Sequence, residues 1–223
     1  MAPHNIWLQC AQRAERGQAV TCRLCYGHYL EADGRAEAER ARIWAAGPTL
    51  EPEPLEPAAG EDGVEAVFTP AVRGVHAVLA AYARGCWTVT GDGRWLPGTG
   101  HAAGDTRTVD LCYFAKRLVF VEDDSPWPGS FAQELEIVPM GPLGKELEVL
   151  VQHQGRPLAG AQVYAHCQGK PRARYAVTAP DGKADFGLTP GEWLLLTRHE
   201  VPAAAEDIDF RVTNAVFGLT VYW

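Results

Sequence analysis

Two short runs near the start of the chain alternate apolar and polar residues with a period of two, and this constrains the fold more than any other feature. Ile6, Leu8 and Cys10 form the first run, and Val20, Cys22, Leu24 and Tyr26 the second. Arg16-Gly17 supplies a reversal between them, so the segment reads as two antiparallel strands. Folding the pair about Arg16 sets Leu8 opposite Leu24, Cys10 opposite Cys22, Ile6 opposite Tyr26 and His4 opposite His28. Directly opposed residues hold their Cβ atoms roughly 4.5–5.5 Å apart. This register places a cysteine pair at one end of the hairpin and a histidine pair at the other. A slip of two residues would keep the faces and break both pairs, and the eight-residue turn does not by itself forbid it.

The same period recurs along the chain. Strands are expected at 41–45, 64–69, 74–82, 85–90 and 133–138, and the long apolar run 109–122, which contains Lys116, reads as a strand or as a short helix and a strand. Sixteen prolines and 23 glycines punctuate these runs, and no long stretch carries a helical stripe, so the fold is expected to be mainly β. Residues 47–63 hold four prolines among five acidic residues and read as a surface loop or linker. From Gly144 about seven short strands at regular spacing predict an immunoglobulin-like sandwich. The expectation is two packed β-sandwich units, residues 1–142 and 143–223, joined tightly at Pro142-Leu143-Gly144.

The net charge of −8 argues against nucleic acid or an anionic membrane as partner, since both demand a basic field. No run of about 18 apolar residues is present, which predicts no membrane span, and the first residues lack the regions of a signal peptide. Six cysteines are spread over the length. Cys22 and Cys25 have zinc-knuckle spacing, but on a strand they would point to opposite faces about 10 Å apart and could not share a metal. Cys86, Cys112 and Cys167 read as buried free thiols. The glycine-rich loop 96–105, with His101, lacks the following helix that a phosphate cradle requires.

The second half carries Gly155-Arg156-Pro157-Leu158-Ala159-Gly160-Ala161-Gln162-Val163, then Asp181-Gly182-Lys183-Ala184 and Pro190-Gly191-Glu192-Trp193. These resemble the transthyretin-like, or carboxypeptidase-regulatory-like, β-sandwich. Over nearly the whole chain, His4-Asn5-Ile6-Trp7-Leu8, Tyr26-Gly27-His28 with Glu31, Trp87 before Gly91-Asp92-Gly93, Ala115-Lys116 and Leu135-Glu136-Ile137-Val138-Pro139 together resemble the periplasmic nickel/cobalt-uptake accessory proteins related to NikK and the soluble part of NikM. The resemblance implies an exported protein that hands a transition-metal ion to a membrane transporter component. His4 and His28 match its N-terminal and glycine-histidine positions. The cysteines and the missing signal peptide depart from that pattern and leave a cytoplasmic location as the alternative.

Seven histidines are present, and His4 and His28 stand out because the hairpin register brings them together independently of the family. Imidazoles suit nickel, cobalt, copper and zinc. Glu31, three residues past His28, offers an oxygen ligand, and His199, ending the strand from Trp193, offers a contribution from the second unit. His76 reads as structural. A chain starting Ala-Pro-His could not form the usual square-planar amino-terminal site, because proline has no amide proton to lose; processing that left His4 first would instead allow its amino group and imidazole to chelate one ion. The expected ligand is nickel or cobalt, with copper or zinc as alternatives. Two rival classes stand beside this one. Asp92, Asp105, Asp110 and Ser125 form no hydrolase order, so no enzyme is expected. A non-catalytic structural, carbohydrate- or protein-binding sandwich would use Trp7, Trp44, Trp87 and Trp95 as surface contacts.

Overall fold

The structure is a computed structural model that describes residues 4–28, 30–99, 106–125, 127, 129–131 and 133–222. His101 and the first three residues lie outside the described residues. In chain order the strands are β1 (Asn5–Gln9), β2 (Arg13–Ala14), β3 (Val20–His28), β4 (Glu31–Gly34), β5 (Ala41–Ala46), β6 (Pro52–Leu55), β7 (Ala58–Ala59), β8 (Val64–Phe68), β9 (Gly74–Thr90) and β10 (Trp95–Pro97). They continue as β11 (Thr106–Val121), β12 (Leu135–Pro139), β13 (Glu146–His153), β14 (Arg156–Pro157), β15 (Gln162–Cys167), β16 (Arg174–Val177), β17 (Lys183–Gly187), β18 (Gly191–Pro202) and β19 (Phe210–Val221). Among the described residues one 3₁₀ turn at Ala38–Arg40 is the only helical element, and no helix is long and apolar enough to cross a membrane.

Among the described residues three sheets result. The first runs β1-β3-β8-β7 with β4 on the side of β3, the second β16-β15-β18-β19-β11-β9-β5-β6 with β10 and β2 attached, and the third β12-β13-β14 with β17 on β13. The opening hairpin has the expected register, with Ile6 paired to Tyr26 and Leu8 to Leu24.

The large second sheet serves both sandwiches, and its alternation shows how. Along β9, Val78, Ala80 and Tyr82 face a core shared with Ile6, Leu8, Leu24 and Val64 of the first sheet. Ala77 and Leu79, between them, face a second core with Leu135, Ile137, Val149 and Val151 of the third sheet. β11 repeats the pattern, with Val119 and Val121 on one side and Leu118 and Phe120 on the other. A strand covered on both faces reads as a continuous apolar run, which is why Leu118-Val119-Phe120-Val121 shows no alternation.

The two sandwiches therefore share a sheet instead of standing side by side. β19, the last strand, pairs in parallel with β11, from Val109 opposite Phe210 to Arg117 opposite Gly218. The turn at Pro142-Leu143-Gly144 falls inside the β12–β13 hairpin, where Ile137 pairs with Val151, so β12 belongs structurally with the strands after it. Residues 47–63, expected as a linker, instead supply edge strands: β6 pairs with β5, Trp44 opposite Pro54, and β7 pairs with β8. Prolines are tolerated there because an edge strand has a side that donates to nothing.

One ion pair is enclosed in the second core. Lys116 Nζ lies 2.6 Å from Glu136 Oε1, their side chains 2% and 1% exposed. Glu136 also accepts from Ser130 Oγ at 2.6 Å and from the Phe131 amide at 3.0 Å. Burial holds the Lys116 ammonium below its ordinary pKa, with Glu136 pulling the other way. Charges that leave water persist only when paired and hydrogen-bonded, and this carboxylate meets both conditions.

Candidate metal centre

The hairpin delivers the predicted histidine pair. The imidazoles of His4, just before β1, and His28, at the end of β3, have ring centroids 4.3 Å apart. Tyr26, two residues before His28 and therefore on its face of the strand, stacks on His4 at 4.6 Å and 26°. The Tyr113 hydroxyl donates to the His4 carbonyl at 2.6 Å and fixes that end of the chain from the second sheet.

The carboxylate that completes the group belongs to Asp33. Asp33 Oδ2 is 2.7 Å from His28 Nδ1, and Oδ1 is 3.4 Å from His4 Nε2. The ligand-capable atoms of His4, His28 and Asp33 lie within 4.8 Å of one another, and among the described residues no other three or more histidine, cysteine or acidic groups do so.

Backbone geometry explains the choice. His28 pairs with Glu31 and Tyr26 with Gly34, so β4 spends three residue steps where β3 spends two, and the ladder bulges. Glu31 faces His28 in the ladder but stays exposed, outside the cluster. The bulge brings β4 so close that a Cβ on Gly27 would lie 2.1 Å from the Glu31 carbonyl oxygen and 2.7 Å from Asp33 Oδ1. At Gly34 a Cβ would meet Tyr26 Cδ1 at 2.6 Å. Glycine at both positions is what lets Asp33 lie against the imidazoles.

His199 does not join them. Along β18, Trp193 and Leu195 face the third sheet, so His199, in phase with them, points to the side of the second sheet away from His4 and His28. There it meets His153, with ring centroids 4.6 Å apart. His76 is buried, with Nε2 2.9 Å from the Val72 carbonyl oxygen, as expected of a structural residue.

Electrostatics around the cluster balance. Burial pushes the His4 pKa down, helped by His28 and by the Arg84 guanidinium, while Asp33 pulls it up. The hydrogen bond with His28 holds the Asp33 carboxyl below its usual range. The Arg84 guanidinium lies 5.0 Å from the Tyr26 ring centroid and 4.7 Å from that of Trp87. Two nitrogen donors and a carboxylate suit borderline divalent cations. With bonds of roughly 2.0–2.1 Å, neighbouring ligand atoms of an octahedral or tetrahedral ion sit roughly 2.9–3.4 Å apart; the His4–Asp33 separation of 3.4 Å lies at the upper end of that range and the His28–Asp33 separation of 2.7 Å just below it.

At the far end of the same hairpin, the interaction of the neighbouring Cys10 and Cys22 thiols lowers the pKa of Cys10 and raises that of Cys22. Both are free, as are Cys25, Cys86, Cys112 and Cys167.

With this fold and this cluster, the chain belongs to a family of proteins described as "Domain of unknown function (DUF4198)", which matches residues 1–201. No curated protein matches it. Among solved structures, the fibronectin domains FN1–FN3 of chicken CNTN1 overlap at 11% identity and a TM-score of 0.24, over 98% of this chain and 67% of that one. Native alpha-2-macroglobulin from Escherichia coli, domains MG0-NIE-MG1, overlaps at 8% identity and a TM-score of 0.25, over 96% and 71%. Overlaps this slight carry no argument about ancestry or function.

Proposed function

We propose that this protein binds one divalent transition-metal ion, nickel or cobalt ahead of copper or zinc, through His4, His28 and Asp33, and serves as a non-catalytic accessory to metal uptake. The observation that carries the reading is the convergence of two imidazoles and a carboxylate at the rim of the first sheet, where the partly buried rings hold the donors in place and one side stays open. Such a site, with three protein ligands and remaining positions filled by water or a partner, binds an ion and also lets it leave. Delivery to a membrane transporter component, and an exported location, follow from the sequence resemblance. Titration with Co²⁺ followed by visible absorption tests the binding: one equivalent should develop ligand-field bands with imidazole and oxygen ligation. A spectrum unchanged from aqueous Co²⁺ would refute it.

A further inference from the structure

The end of the opening hairpin away from the histidines carries two thiols that the metal reading does not use. We propose that Cys10 and Cys22 form a reversible dithiol–disulfide pair that exchanges with small disulfides such as oxidised glutathione, Cys10 making the first bond and Cys22 resolving it.

The ladder sets the geometry. β1 and β3 pair as far as Gln9 opposite Arg23, so the next step of the same register sets Cys10 against Cys22. Directly opposed residues of an antiparallel pair have Cα atoms about 4.5 or 5.5 Å apart, and a disulfide spans about 4.4–6.8 Å, so a bridge asks little of the backbone. Both side chains pack with the first core.

Topology makes the two thiols unequal. β1 is the outer strand of the first sheet, whereas β3 lies between β1 and β8, and Cys22 pairs on its other side with Ala66. Cys22 is 0% exposed, while Cys10, just past the end of β1, is partly exposed. An oxidant arriving from solvent therefore meets Cys10 first and reaches Cys22 only through it.

Charge points the same way. The neighbouring Cys22 thiol and the Arg117 guanidinium hold the Cys10 thiol below its ordinary pKa, against burial and Glu192. Cys10 and burial together push Cys22 up. Burial also raises Cys25, Cys86, Cys112 and Cys167, which leaves Cys10 as the thiol poised to ionise. The thiolate is the nucleophile, and an accessible thiol of low pKa beside a resolving cysteine is the arrangement of redox-responsive pairs.

The exchange balances in two steps. The Cys10 thiolate attacks one sulfur of the glutathione disulfide and expels a glutathione thiolate, which takes up the proton that Cys10 gave up. Cys22 then loses its proton and attacks the Cys10 sulfur, expelling the second glutathione, which takes that proton. Two protein thiols become one disulfide, and one glutathione disulfide becomes two thiols. This inference shares no residue with the metal centre and does not depend on it.

The test incubates the reduced full chain with oxidised glutathione and follows intact mass and peptide maps over time. The native chain should lose two hydrogens, with Cys10 joined to Cys22 and no glutathione kept, and excess reduced glutathione should reverse the change. Cys22→Ala should stall with one glutathione on Cys10, formed about tenfold or more faster than on Cys86. Cys10→Ala should leave Cys22 unmodified. The native map keeps the test valid should either variant fail to fold. A native chain that does not join Cys10 to Cys22, glutathione on Cys22 in Cys10→Ala, or first reaction at Cys86 or Cys112 would overturn the proposal.

Discussion

Removing one partner of the Lys116–Glu136 pair should damage the fold far more than removing both. In Glu136→Leu the Lys116 ammonium stays in the second core with no counter-charge, and Ser130 Oγ and the Phe131 amide lose their acceptor. Breaking a buried pair from one side costs about 3–5 kcal/mol, a large part of the roughly 5–15 kcal/mol that holds a domain together. At about 2–4 °C per kcal/mol for a chain of this size, the midpoint should fall by roughly 6–20 °C. Lys116→Met alone should cost a similar amount, because Glu136 is then the buried unpaired charge. The double variant Lys116→Met/Glu136→Leu replaces the pair with apolar groups of comparable volume and should recover most of the loss. The assay is urea unfolding followed by circular dichroism on the four proteins, read as a double-mutant cycle. Coupling of about 2 kcal/mol or more is expected. Two single losses each under about 1 kcal/mol, or a double variant as unstable as their sum, would refute the reasoning.

Other outcomes follow from the site and its hairpin. Gly27→Ala should cut metal affinity at least tenfold by calorimetry while His76→Ala does not, because the added methyl collides with Glu31 and Asp33; equal affinities would contradict that. Imidazole binds metal only when neutral, so affinity should fall as pH drops. With the His4 pKa already depressed by burial, the fall should come below the ordinary value of about 6.5; a midpoint above it would contradict the burial argument. Arg84→Gln removes a cation beside His4 and should tighten metal binding, whereas weaker binding would count against the electrostatic balance drawn here. Mild oxidation should join Cys10 to Cys22 and leave four of the six thiols in a denatured, non-reduced count; six remaining thiols would show that the pair does not bridge.

The parts of this architecture that were readable from the residues are those governed by a period of two. Ile6, Leu8, Leu24 and Tyr26 specified the face, and folding about Arg16 gave one of the registers that face allows, the one in which His4 meets His28 and which the ladder adopts. What pattern could not supply was anything set by a second sheet or a bulge. Asp33 was hidden because the extra residue in β4 shifts the alternation, and its only trace was the pair of glycines, Gly27 and Gly34, that permit the close approach. His199 looked available to the same site because a strand position says nothing about which side of a shared sheet it faces. The sharing itself was written in the unalternating run 118–121, which a single-faced strand would not carry. Residues 47–63 misled because prolines signal a loop unless an edge strand is there to take them.

The account rests most directly on the metal affinity of the full chain. Calorimetric titration with Ni²⁺ and Co²⁺ should give one site in the native protein and in His76→Ala. His4→Ala, His28→Ala and Asp33→Ala should each lose affinity tenfold or more, and Glu31→Ala and His199→Ala should bind as the native chain does. If His4→Ala and His28→Ala both bind as tightly as His76→Ala, the centre assigned to the opening hairpin is refuted.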